Sequence, residues 1–153
     1  MNIECLFISD VHLGSKGSHS NELLGVLKKY KPKKLFIIGD FIDGWLLKKR
    51  HHWPQKYANL IRKILSYSKQ GVEIYYITGN HDDFLRNYTP FQFGNIHILD
   101  EIEGNGYLIT HGDLYDGVVQ LKWLGVLGSW GYEFAIWIDR SLKKLGYKKS
   151  FSK

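Results

Sequence analysis

Apolar and polar positions fall into alternating blocks over the first two thirds of the chain. Cys5-Leu6-Phe7-Ile8 is a short apolar run that predicts a buried strand. Leu23, Leu24, Val26 and Leu27 then recur at helical spacing, and the stripe ends in Lys28-Lys29. Leu35-Phe36-Ile37-Ile38 predicts a second strand. Pro54 opens another helix, where its missing N–H is dispensable; Tyr57, Leu60, Ile61, Ile64 and Leu65 line its buried face, and Gln70-Gly71 stops it. Glu73-Ile74-Tyr75-Tyr76-Ile77 is a third strand, and Ile96–Leu99 and Tyr107–Ile109 are two weaker ones. Short apolar runs separated by helices predict an α/β fold with a parallel sheet covered on both faces.

After Gly117 the pattern changes. Trp123 to Ile138 is a stretch of 16 residues with one charge, Glu133, broken by Gly125, Gly128 and Gly131. It falls short of the ~20 apolar residues that span a bilayer. The chain therefore divides into a core, residues 1–116, and an aromatic and basic helical lid segment of the same domain, residues 117–153. The mixture of 44% hydrophobic and 24% charged residues over 153 positions excludes disorder and coiled coil. A lone cysteine, Cys5, excludes an internal disulfide framework and a thiolate metal site, and with no signal-peptide pattern predicts a cytoplasmic protein. Charge is unevenly placed. Up to Asp116 there are 14 Lys and Arg against 13 Asp and Glu, whereas from Gly117 there are 7 against 2. A field of that sign attracts phosphorylated substrates or anionic lipid; nucleic acid shares the attraction, but no nucleic-acid motif accompanies it, which disfavours that partner.

The chemistry gathers just beyond the predicted strands. Ser9-Asp10-Val11-His12 follows the first, Gly39-Asp40-Phe41-Ile42-Asp43-Gly44 the second, Gly79-Asn80-His81-Asp82 the third and His111-Gly112-Asp113 the fifth. In an open α/β sheet the carboxyl edge is where ligands bind. Asp10 and Asp40 packed together repel unless a cation joins them. Oxygen and imidazole donors without thiolate suit two divalent ions, with Mn²⁺ first and Fe²⁺, Zn²⁺ or Mg²⁺ also admitted. Each motif alone has a plainer reading: Asp40 and Asp43 as turn residues, Asp82 as the cap of an Asp83–Tyr88 helical turn, His111 as a half-buried histidine. Their conjunction, in order, points to a metal site.

The ordered set Asp-x-His, Gly-Asp-x-x-Asp, Gly-Asn-His-Asp and a later His resembles the calcineurin-like metallophosphoesterases, whose fold is a β-sandwich flanked by helices. The closest branch is that of the UDP-2,3-diacylglucosamine hydrolases of lipid A biosynthesis, on Asp43-Gly44-Trp45, Trp53-Pro54, Gly79–Arg86 and Thr110-His111-Gly112-Asp113. The resemblance implies that Asp10, His12 and Asp40 hold one metal, and that Asp40 bridges to a second held by Asn80 and His111. It implies that His81 contacts the phosphate and protonates the leaving oxygen, with Asp82 orienting it. It further implies that residues 118–149 form a hydrophobic lid over acyl chains; read from the residues themselves, Trp123 and Trp130 offer apolar area to an acyl group, and Arg50 is a candidate contact to phosphate or sugar whose plainer reading is a solvated loop.

Two departures accompany the resemblance. The Gly-His-x-His motif that adds one ligand to each metal has no counterpart here, so the sequence looks like the N-terminal part of a longer enzyme, with one sheet face open. The best-defined UDP-diacylglucosamine hydrolases carry Arg where this chain has His81. Sequence thus predicts two-metal hydrolysis of a phosphoester or diphosphate on a lipid-linked or nucleotide substrate, with peripheral contact at the inner membrane face. The competing reading is a catalytically silent lipid- or membrane-binding module.

Overall fold

A computed structural model of the chain describes residues 1–50 and 52–116. Met1–Gly112 forms one compact unit; of a second, Asp113–Lys153, the described part begins with the 3₁₀ turn Asp113–Tyr115. The segment 117–153 expected to form a lid, with Trp123 and Trp130, lies outside the described residues, as does the Arg50 side chain.

The first unit is a mixed α/β structure. Strands β1 (Asn2–Ser9), β2 (Lys31–Ile38) and β3 (Glu73–Ile77) alternate with helices α1 (Ser20–Lys29), α2 (Gly44–Arg50) and α3 (Gln55–Lys69). After β3 come a 3₁₀ segment (Asp83–Tyr88), β4 (Phe91–Phe93), β5 (Ile96–Leu99), β6 (Glu101–Gly104) and β7 (Tyr107–Thr110). The main sheet runs β1-β2-β3-β5-β4, with β4 antiparallel to β5 and the other pairings parallel. Helix α2, β4 and β6 are the elements that periodicity does not mark, because runs of three to seven residues are too short to show a pattern.

The core lies on the helix-bearing face. Leu35 and Ile37 of β2 stand in register with Ile74 and Tyr76 of β3, and they pack with Leu27 of α1 and Leu60, Ile64 and Tyr67 of α3. The Tyr67 hydroxyl, buried between the helices, donates to the carbonyls of Leu27 and Tyr30. Strand residues alternate faces, so Phe7, Phe36, Tyr75 and His97 occupy the opposite side. They stack across four strands at centroid spacings of 4.6, 5.0 and 5.0 Å. Burial of both faces, as the sequence predicts, is not met at β1, where Phe7 is 53% exposed and Cys5 is exposed. β1 is an edge strand with a neighbour on one side only, which leaves the end of the ladder open.

A second correction concerns the strand that delivers His111. β7 does not extend the parallel sheet; it pairs antiparallel with β6, Glu101 opposite Thr110. Asn105 and Gly106 both have positive φ, 51° and 81°, as a two-residue type I′ hairpin turn requires. Asn-Gly is the local signal for that hairpin. The turn sends β7 back, so that His111 follows its last residue.

Candidate metal centre

Three loops leave the carboxyl ends of β1, β2 and β3 and are tied to one another by backbone hydrogen bonds. Gly39 N–H donates to the Ile77 carbonyl at 2.7 Å, His12 N–H to the Asp40 carbonyl at 2.8 Å, and Gly44 N–H to the His81 carbonyl at 2.9 Å. Asp10, His12 and Asp40 all have positive φ, 53°, 47° and 51°. Left-handed backbone at non-glycine residues costs energy, and Asp and His tolerate it better than bulky or β-branched residues do. Three such residues at one point mark a place where backbone strain is held for function.

Asp40 is the hub. Its carboxylate is buried, 6% exposed, and Oδ1 accepts a hydrogen bond from the His81 backbone N–H at 2.8 Å. Oδ2 lies 3.7 Å from His12 Nε2, 4.0 Å from His81 Nε2 and 3.8 Å from His111 Nε2. These separations are too long for hydrogen bonds. They match ligand atoms that share an ion, because donors each about 2.0–2.2 Å from a metal stand roughly 3–4 Å from one another. Two donor groups result, His12–Asp40–His81 and Asp10–Asp40–His111, with all donor atoms in each within 4.8 Å of one another. Asp40 belongs to both. The donor set therefore fits divalent cations on chemistry and on spacing.

Two glycines make room for it. A Cβ on Gly79 would lie 2.3 Å from Asp40 Oδ1, and one on Gly39, whose φ is +62°, would lie 2.2 Å from the His111 ring. The Gly in each of the Gly-Asp and Gly-Asn pairs is thus explained by close approach of a metal-capable side chain.

The structure brings the expected donors together in different company. Asp40 stands in both groups, but Asp10 shares its group with His111, at 3.7 Å, and His12 shares its own with His81. Asn80 is half-buried between Gly79 and His81, both of which abut Asp40.

Asp82 requires a correction. It does not orient His81. Fully buried, its Oδ2 accepts from Phe41 N–H at 3.0 Å and from the Tyr76 hydroxyl, and its Oδ1 accepts from Gly79 N–H at 2.6 Å. It is a structural tie between the second and third loops, and its side chain does not cap the 3₁₀ segment that follows. The carboxylate facing His81 is Asp43, whose Oδ1 lies 3.3 Å from His81 Nδ1 and whose Oδ2 lies 3.8 Å from His12 Nδ1. Asp43 Oδ1 also accepts the Leu46 N–H at 2.9 Å and so caps α2. The His81 ring is held on its other sides by Trp45, stacked at 4.2 Å, and by His12, edge-on at 4.6 Å. Asp43 and Trp45 are visible in the sequence as Asp-Gly-Trp, but only folding places them against His81.

The sequence profile of calcineurin-like phosphoesterases matches residues 3–144. The chain belongs to that family. It is 29% identical to a UDP-2,3-diacylglucosamine hydrolase of Porphyromonas gingivalis over 126 residues, 74% of this chain and 47% of the relative. It is 31% identical to the protein of the same name from Stenotrophomonas maltophilia over 118 residues, 71% of this chain and 46% of the relative. Among solved structures, a nuclease of Pseudomonas putida described as MPE aligns with a TM-score of 0.40 at 22% identity, covering 67% of this chain and 50% of that one. The chain spans about half the length of the curated relatives it matches. No helix among its described residues is long and apolar enough to cross a membrane.

Proposed function

We propose that this chain carries the metal centre of a hydrolase that cleaves a phosphoester or diphosphate bond, on a lipid-linked nucleotide of the UDP-2,3-diacylglucosamine type. One observation carries the reading: the buried Asp40 Oδ2 lies within 4.0 Å of three imidazole Nε2 atoms and belongs to both donor groups. The family assignment supports the reaction class, and the names of the relatives support the substrate.

Asp10, His12, Asp40, Asn80 and His111 would hold two divalent cations. Such cations supply Lewis acidity and a water of lowered pKa for in-line displacement at phosphorus. The chain's own residues do the rest. Asp40 keeps both donor groups in register because its Oδ1 is tied to the His81 backbone. His81 Nε2 stands farthest from Asp40 Oδ2 of the three imidazole nitrogens, at 4.0 Å, and is assigned not as a ligand but as the donor to a phosphoryl oxygen and then to the leaving oxygen, with Asp43 facing the Nδ1 side of the ring. Trp45 fixes the ring plane by stacking. Arg50, Trp123 and Trp130 are proposed substrate contacts, and the segment 117–153 the proposed lid.

The deciding measurement is turnover of a water-soluble aryl phosphodiester by the chain, with added Mn²⁺ and with chelator. Mn²⁺-dependent hydrolysis that disappears in Asp40→Ala and His111→Ala is expected. Hydrolysis that survives both substitutions overturns the assignment.

A further inference from the structure

Thr78 is the residue from which the third loop leaves β3, and each of its polar groups is engaged. Its backbone N–H donates to the Leu99 carbonyl at 2.9 Å, and its hydroxyl donates to Asp100 Oδ1 at 2.7 Å. Arg86 reaches back from the far end of the loop. Its Nε donates to the Thr78 hydroxyl at 3.1 Å and its Nη2 to the Thr78 carbonyl at 3.3 Å. Asp100, between β5 and β6, also accepts the Thr89 hydroxyl on Oδ2 at 2.7 Å. Its Oδ1 lies 3.8 Å from Arg86 Nε, so the two charges face each other across the buried Thr78 hydroxyl. These bonds close the segment Gly79–Leu85, which carries Asn80, His81 and Asp82, into a loop stapled at its base.

We propose that Arg86 and Asp100 are positioning residues for Asn80 and His81, acting through Thr78. A β-branched side chain has few rotamers. A hydroxyl held by a carboxylate on one side and a guanidinium on the other is confined to one of them, and bonds to charged partners are the strong ones. With its carbonyl held as well, Thr78 fixes the peptide that enters Gly79, a residue that by itself restricts the direction of the chain least. Direction matters there, because two residues later the His81 N–H must meet Asp40 Oδ1 at 2.8 Å. Asp82 binds the middle of the loop to the second loop; Arg86 and Asp100 fix its base beside the end of β5, which is a separate constraint. The consequence for cations rests on the metal centre proposed above. The brace itself does not.

Amide hydrogen exchange of the whole chain in chelator tests the brace without metal. The Gly79 and His81 amides, which donate to Asp82 and Asp40, should exchange about tenfold faster in Thr78→Val and in Asp100→Ala. A residue that served stability alone would speed the core amides of Ile37 and Ile74 by the same factor. Thr78→Ser, which keeps the hydroxyl, should restore the parent's rates, and Arg86→Gln provides a milder variant if Thr78→Val does not fold. Mn²⁺ titration calorimetry, on variants with the parent's circular dichroism spectrum, should show affinity lowered about tenfold in the same variants and not in Thr78→Ser. Gly79 and His81 exchanging at the parent's rate, or faster only in step with Ile37 and Ile74, overturns the inference. So does faster exchange with unchanged Mn²⁺ affinity. A parent chain that binds no Mn²⁺ speaks against the proposed metal centre, whereas the exchange rates decide the brace, so the two failures are distinct.

Discussion

Asp43 Oδ1 stands 3.3 Å from His81 Nδ1 and 2.9 Å from the Leu46 backbone nitrogen, so one carboxylate oxygen serves both an imidazole and the first turn of α2. His81 Nδ1 is buried, and the contact with Asp43 is not aligned as a hydrogen bond, so the orienting force is charge and packing rather than a directed bond. Asp43→Asn keeps an oxygen for the cap but removes the charge. The expected outcome is a loss of about 10–100-fold in kcat for the aryl phosphodiester, the size seen when a supporting carboxylate is removed, with little change in Tm. Asp43→Ala should lose in addition about 1 kcal/mol of stability with the cap. Equal kcat in Asp43→Asn and the parent would remove Asp43 from the machinery.

Cation stoichiometry separates the hub from its spokes. Asp40→Ala takes a donor from both groups, whereas His111→Ala takes one from the Asp10–Asp40–His111 group alone. Titration calorimetry with Mn²⁺ should show both ions lost in Asp40→Ala and one retained in His111→Ala. Retention of two ions by Asp40→Ala would show that it bridges nothing.

Gly79→Ala tests close approach without touching a ligand. Its Cβ would enter to 2.3 Å of Asp40 Oδ1 and 2.5 Å of Asp40 N. The loop must shift, at a cost of roughly 1–3 kcal/mol, as for other overpacked sites. Mn²⁺ affinity should fall with it. A Tm and an affinity both equal to the parent's would show that the loop yields freely.

Asp82 and Tyr76 predict an alkaline effect. Burial, reinforced by the Asp82 carboxylate, pushes the Tyr76 phenol well above its ordinary value of 10. Below that value the phenol is protonated in both the folded and the unfolded chain, so it adds no pH dependence. Above it the unfolded chain loses the proton first, and stability falls as pH rises. Denaturant melts from pH 9 upward should therefore show a slope that is reduced by about one proton in Tyr76→Phe, while Tyr75 and Tyr67, also raised, keep the remainder. Unchanged slope in Tyr76→Phe would mean that the phenol ionises in place.

Asp82→Ala should be the most damaging of these substitutions to folding. It leaves Phe41 N–H, Gly79 N–H and the Tyr76 hydroxyl without their acceptor in a buried site. Unsatisfied buried donors cost about 1–3 kcal/mol each. The expected result is a large drop in Tm at neutral pH, read by calorimetry; a drop within the range of surface substitutions would contradict the buried tie.

The linear chain already specified which residues are apolar at strand or helix spacing, where β1, β2, β3, β5, α1 and α3 run, and that Asp10, His12, Asp40, Asn80, His81 and His111 follow strands. Those features depend on neighbours a few positions away, so periodicity and turn chemistry reveal them. Tertiary structure decided which of two adjacent carboxylates serves His81. Asp82 sits next to it in sequence, yet its side chain points into the loops; Asp43, from a different strand end, faces the imidazole. It likewise decided that His111 arrives on a hairpin rather than on the main sheet, and that the Phe7–His97 ladder ends at an open edge. Apart from the Asn105-Gly106 turn that announces the hairpin, such outcomes depend on the direction in which each side chain leaves a tightly turned backbone and on distances between segments remote in sequence, which no local pattern encodes.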